Sequence, residues 1–137
     1  MILSGGVSPR GMWALVALFT VSGALHIVRP HPFEAIVPRR LPYKRHLVYG
    51  SGALELVCAA GLAVPRTRRP AGLASACLLV AVFPANLRMT ADIIGRRSPA
   101  VQVFAIVRLP LQLPMIRTAW RAWRSRPDRN GLSTGSE

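Results

Sequence analysis

HLVYGSGALELVCAAGLAV, residues 46–64, is the stretch whose reading decides the fold. As an α-helix rising roughly 1.5 Å per residue it is about 28 Å long, enough to cross the hydrocarbon core of a bilayer. One carboxylate, Glu55, stands at its midpoint. Insertion scales put the cost of Asp, Lys or Arg at the centre of a membrane helix at roughly 2.5–3.5 kcal/mol, so such a group turns inward and is partnered by other helices. The rest of the chain must supply those neighbours.

Working outward, three more apolar runs appear at residues 11–28, 71–87 and 100–116. Together the four predict an all-α, membrane-embedded four-helix bundle. In the first run, GMWALVALFTVSGALHIV, Trp13 is an interfacial anchor. Phe19, Ser22 and His26 share one face by their three- and four-residue spacing. Residues 29–45, RPHPFEAIVPRRLPYKR, are too charged to span and are broken by Pro30, Pro32, Pro38 and Pro42. Their apolar side, Phe33, Ile36, Val37, Leu41 and Tyr43, predicts a short interfacial segment between helices 1 and 2, with Glu34 its only acid.

In the second run Ser51, Gly52, Glu55, Cys58 and Ala59 lie on one face, where small residues let backbones approach closely. PRTRRP, residues 65–70, reads as a tight basic turn. The third run carries Ser75, Leu79, Val82 and Asn86 on one side, and Pro84 predicts a kink. Residues 88–99, with Asp92, read as a loop. The fourth run, AVQVFAIVRLPLQLPMI, has Arg108 at its midpoint on a face with Phe104 and Gln112, and Pro110 and Pro114 predict an irregular second half. RTAWRAWRSR then alternates tryptophan with arginine as interfacial helix ends do. Residues 1–10 form an expected flexible arm, 11–126 the membrane domain and 127–137 a disordered tail.

Composition agrees. Of 137 residues 51% are hydrophobic and Lys+Arg outnumber Asp+Glu by 18 to 5, yet apart from Arg108 the cations lie outside or at the ends of the apolar runs. That segregation is the pattern of a membrane protein whose basic loops meet lipid headgroups. Nucleic-acid binding is not expected, because no aromatic and basic platform appears. Cys58 and Cys77 fall inside apolar runs and report no disulfide framework, and no His/Cys cluster has metal-ligand spacing. The first run reads as a retained helix rather than a signal peptide. With four spans, nine cations fall on the side of the termini and eight on the other. Their concentration beside helix ends in PRTRRP and the C-terminal stretch predicts cytoplasmic termini.

If both termini face the cytoplasm, helices 2 and 4 descend in the same direction and Glu55 and Arg108 lie at one depth. A midplane salt bridge between them is expected, with Gln112 one turn further in, because each charge alone would be poorly solvated. His26, Tyr49 and Asn86 fall toward the outer end, where they form either interhelical hydrogen bonds or a polar vestibule above Glu55. The ion pair reads equally as a lock on the bundle or as the lining of a ligand or proton site. Cys58 and Cys77 fall at equal depth on antiparallel helices; they read as small hydrophobes, with a redox dithiol as the sharper alternative.

The runs SGALHIVRPHPFEAIVPRRLP, LVYGSGALELVCAAGLAVPRTRRPAG, VAVFPANLRM and RLPLQ resemble the DoxX-like family of small bacterial membrane proteins over about residues 20–116. The most specific matches are G-x-x-E-L at residues 52–56, the turn at 65–70 and P-A-N at 84–86. The resemblance implies a four-helix bundle in the bacterial cytoplasmic membrane. For some relatives it implies association with quinone-linked oxidases, thiosulfate oxidation or a membrane oxidoreductase complex. It places His26, Glu55 and Asn86 at polar positions of the family pattern, with Arg108 and Gln112 in the RLPLQ segment. His26 lacks a second intramembrane histidine, so a haem subunit is not expected.

The first functional expectation is an accessory or quinone-interacting subunit of a membrane redox system, with His26, Tyr49, Glu55, Asn86 and Arg108 offered to the quinone carbonyls. Redox-enzyme subunits and further copies of the chain are the partners it invokes. The alternatives are a proton-coupled small-molecule transporter and a non-catalytic membrane scaffold. No catalytic residue is assigned, and no cofactor other than quinone is invoked.

Overall fold

The computed structural model describes residues 7–35, 37, 39–95 and 99–125. Four long helices and one short one account for the secondary structure: α1 (Pro9–Val28), α2 (His31–Glu34), α3 (Lys44–Ala63), α4 (Arg68–Ile93) and α5 (Pro99–Arg124). Residues 1–6 of the expected arm and the whole of the expected tail lie outside the described residues.

Helix ends follow stop signals in the backbone rather than the limits of the apolar runs. Pro9 opens α1, where its missing N–H has no intrahelical acceptor to lose. The basic turn is shorter than PRTRRP: α4 starts at Arg68 and takes Pro70 into its first turn, where proline is tolerated. The expected loop from residue 88 is instead the last part of α4. That helix continues through RMTADI until Gly95, which adopts φ 80° just past its end. Similarly, α5 runs on through RTAWRAWR, and both Pro110 and Pro114 lie within it.

The α3–α4 hairpin is closed by its own side chains. Thr67 Oγ1 donates to the Gly61 carbonyl at 2.9 Å and Arg68 Nε to the Leu62 carbonyl at 3.1 Å, satisfying acceptors that the end of α3 leaves open. Around the bundle, α1 packs on α3, α3 on α4, α4 on α5 and α5 on α1. The helices therefore form a closed ring in which α3 and α5 are diagonal.

Two crossings bring backbones unusually close. A Cβ added at Gly52 would lie 2.6 Å from His26 Cβ and 3.0 Å from the Gly23 carbonyl, so α1 and α3 meet at a Gly23–Gly52 contact. On the α4–α5 side, a Cβ at Gly72 would lie 2.6 Å from the Trp123 nitrogen.

The surface is inverted relative to a protein folded in water. Leu18, Val21, Leu25, Leu54, Val57 and Val80 face outward, whereas His26, Glu55, Ser75, Thr90 and Gln112 are buried. The helices α1, α3 and α4 are long and apolar enough to cross a membrane. The apolar core joins Leu15 and Phe19 of α1, Cys58 and Leu62 of α3, Ala76 and Leu79 of α4, and Ala119 and Ala122 of α5. These residues lie toward the end of the bundle that holds the α3–α4 turn, so packing is densest there. Apart from Ser75, which lies beside Ala76 within this plug, the buried polar groups sit between it and α2.

Candidate functional site

Glu55 is held on the buried face of α3 that also presents Val48, Gly52, Cys58, Ala59 and Leu62. Its Oε2 is buried and has no hydrogen-bond partner. The nearest cationic candidate is His26 of α1, whose Nδ1 lies 3.9 Å from that oxygen. This is ion-pair range and beyond hydrogen-bond range. His26 is brought there by the Gly23–Gly52 crossing, because a side chain at residue 52 would occupy the space of its Cβ.

Two contacts fix the imidazole. Nδ1 donates to the Ser22 carbonyl at 2.7 Å; a carbonyl only accepts, so the Nδ1 proton is assigned. Phe33 of α2 stacks on the ring with centroids 3.8 Å apart and planes at 24°. Through Phe33, α2 covers the His26 side of the site. It is tied to α3 by Arg45, whose Nε donates to Glu34 Oε1 at 2.8 Å. That bond to Arg45 holds the half-buried Glu34 carboxyl below the usual carboxylate range.

The expected direct salt bridge between Glu55 and Arg108 is not formed. Among the described residues the ion pairs within 4.0 Å join His26 to Glu55, Arg45 to Glu34 and Arg88 to Asp92. The reason is topological. Matched depth does not make neighbours of helices on a diagonal, so Arg108 and Glu55 come to one level without forming an ion pair.

A second polar cluster links α4 and α5. Asn86 Nδ2 donates to Gln112 Oε1 at 3.2 Å, and Gln112 Nε2 donates to the Leu79 carbonyl. That acceptor lies one residue before the Val80 carbonyl, which Pro84, having no N–H, leaves without its helical donor. Arg108 stands one turn from Gln112 on α5 and is half-buried.

Of the residues expected to form one polar site, His26 and Glu55 come together, Asn86 and Gln112 form a separate pair, and Arg108 stands half-buried one turn from Gln112 without an ion pair to Glu55. Tyr49 does not join: its side chain is exposed, on the surface of α3 one turn from Arg45. The dithiol alternative fails on geometry, since Cys58 is buried while Cys77 is exposed on the outside of α4. Two contributors were missed, the Ser22 carbonyl and Phe33. Ser22 had a sequence signal in its four-residue spacing from His26. Phe33 had only the prolines at 30 and 32 that turn the chain back over the end of α1.

Fold and site define the class: an all-helical protein with three helices long and apolar enough to cross a membrane and with acidic, basic and amide side chains turned inward. The sequence matches the family described as "Domain of unknown function (DUF8561)" over residues 15–123, and the chain belongs to that family. Neither a curated protein nor a solved structure matches it.

Proposed function

We propose that this chain is a DoxX-like protein of the bacterial cytoplasmic membrane with four spans, serving as a quinone-interacting accessory subunit of a membrane redox system. The reading of α5 as the fourth span rests on its length, its packing against α4 and α1, and its outward Val103, Ile106, Val107 and Leu111. The observation that carries the function is the unpartnered Glu55 oxygen beside His26.

In a low-dielectric interior an open carboxyl oxygen is costly unless a ligand completes it. Ionised, Oε2 accepts a hydrogen bond from a quinol hydroxyl; protonated, the same carboxyl donates to a quinone carbonyl. The apolar ring and tail of such a ligand suit a site walled by membrane helices. When bound, the quinone supplies a two-electron, two-proton couple. Glu55 and His26 hold the hydrogen-bonding end, Phe33 closes the site on the α2 side, and Arg108 supplies a compensating charge. Leu15, Phe19 and Leu62 pack against one another on the side of the site toward the α3–α4 turn, and this apolar packing favours a binding subunit over a transporter.

The test is purification in mild detergent followed by lipid extraction and assay of quinone per protein and of co-purifying subunits. Wild-type protein is expected to retain quinone, and Glu55→Gln to retain at least tenfold less. Equal retention by the two proteins, or none by the wild type, refutes the reading.

A further inference from the structure

The two ends of the bundle differ in how their arginines are used. At the end away from α2, Arg66 sits in the α3–α4 turn, and Arg117, Arg121 and Arg124 are exposed on α5. Their four- and three-residue spacing places the α5 arginines in one stripe. Trp120, 44% exposed, lies in the same stripe and stacks edge-on against Trp123 at 4.6 Å.

The turn and the stripe are fastened together. Arg69 Nε donates to the Trp123 carbonyl at 3.1 Å, and Gly72 permits α4 to approach the backbone of α5 at the same level. Among the described residues this end carries no carboxylate. At the opposite end Glu34 engages Arg45 and Asp92 faces Arg88. The stripe is therefore a preassembled set of guanidinium donors, next to an aromatic pair of the kind that sits at headgroup level.

We propose that this end of the bundle is a docking surface for the phosphate headgroups of anionic phospholipids, held by Arg66, Arg117, Arg121 and Arg124 with Trp120 as the interfacial anchor. Planar guanidinium groups match phosphate oxygens two at a time. A basic residue near an anionic bilayer surface contributes roughly 1 kcal/mol, which is about a fivefold change in binding per arginine and about a hundredfold for three. The occupant is a lipid rather than a free anion, because tryptophan and arginine alternate on one helix end where apolar and phosphate contacts are made together. The surface is independent of the Glu55 site.

The test is native mass spectrometry and thermal stability of the full chain in neutral detergent, with phosphatidylglycerol or phosphatidylcholine added. A triple variant, Arg117→Gln with Arg121→Gln and Arg124→Gln, is compared with a variant of equal charge loss at the other end, Arg29→Gln with Arg39→Gln and Arg40→Gln. Wild type and the second variant are expected to bind phosphatidylglycerol in preference and to be stabilised by it, whereas the first variant binds about a hundredfold more weakly. Inorganic phosphate at millimolar concentration is expected to give no comparable stabilisation. Equal weakening in both variants, no preference over phosphatidylcholine, or full reproduction of the effect by inorganic phosphate overturns the proposal. All six positions are exposed or outside the packed core, and circular dichroism of each variant separates lost binding from lost fold.

Discussion

The two buried polar clusters solve the same problem in opposite ways. Between α4 and α5, Asn86, Gln112 and the Leu79 carbonyl match donor to acceptor, so the amide of Gln112 is used on both its atoms. Between α1 and α3, Glu55 keeps one oxygen without a partner although His26 stands 3.9 Å away. A group that only locks helices together gains by saturating its hydrogen bonds. The α4–α5 cluster is such a lock, and the α1–α3 cluster is the one we propose a ligand completes.

That contrast can be broken at four places. The largest effect is expected for Gly52→Leu, whose side chain collides with His26 Cβ and the Gly23 carbonyl. Overpacking of this kind costs about 1–3 kcal/mol or more and separates α1 from α3, so both the melting temperature in detergent and quinone retention should fall. Next is Gln112→Ala, which leaves the Asn86 amide without its acceptor and removes the side-chain donor to the Leu79 carbonyl, for roughly 1–2 kcal/mol. Here the melting temperature should fall while quinone retention persists, the reverse of Glu55→Gln.

Smaller effects belong to the α2 cover. Phe33→Ala removes the stack on His26 and is expected to speed quinone dissociation several-fold with little change in stability, read by stopped-flow exchange. The Glu34–Arg45 tie should depend weakly on pH. Because Arg45 holds the folded-state carboxyl below its ordinary range, the tie stabilises fully above that range and is lost as pH falls through the lowered value. A nitroxide at residue 35 should become more mobile on acidification below the ordinary glutamate range, and Glu34→Gln should abolish the pH dependence.

Much of the fold was legible because apolar length and segregated arginines report on solvent directly. The buried face of α3 follows largely from spacing: of Ser51, Gly52, Glu55, Cys58 and Ala59, which share a face, all but the half-buried Ser51 are buried. Helix ends were less legible: α4 continues through RMTADI, which hydropathy reads as a loop, and ends just before Gly95. The partner of Glu55 was misread for a different reason. Depth along a helix is encoded in residue number, but which helices are adjacent is decided by packing, and the ring order left Arg108 on the diagonal while two glycines drew His26 in. Tyr49 shows the same limit, lying at the expected level on the wrong face.

The most direct measurement is the thermal shift produced by a short-chain quinol on wild type, Glu55→Gln and Gln112→Ala in the same detergent. A ligand that completes the Glu55 oxygen stabilises the folded state in proportion to the logarithm of its concentration over Kd. Wild type and the less stable Gln112→Ala should therefore both shift upward, and Glu55→Gln should not. An equal shift in Glu55→Gln, or none in wild type, would contradict the account.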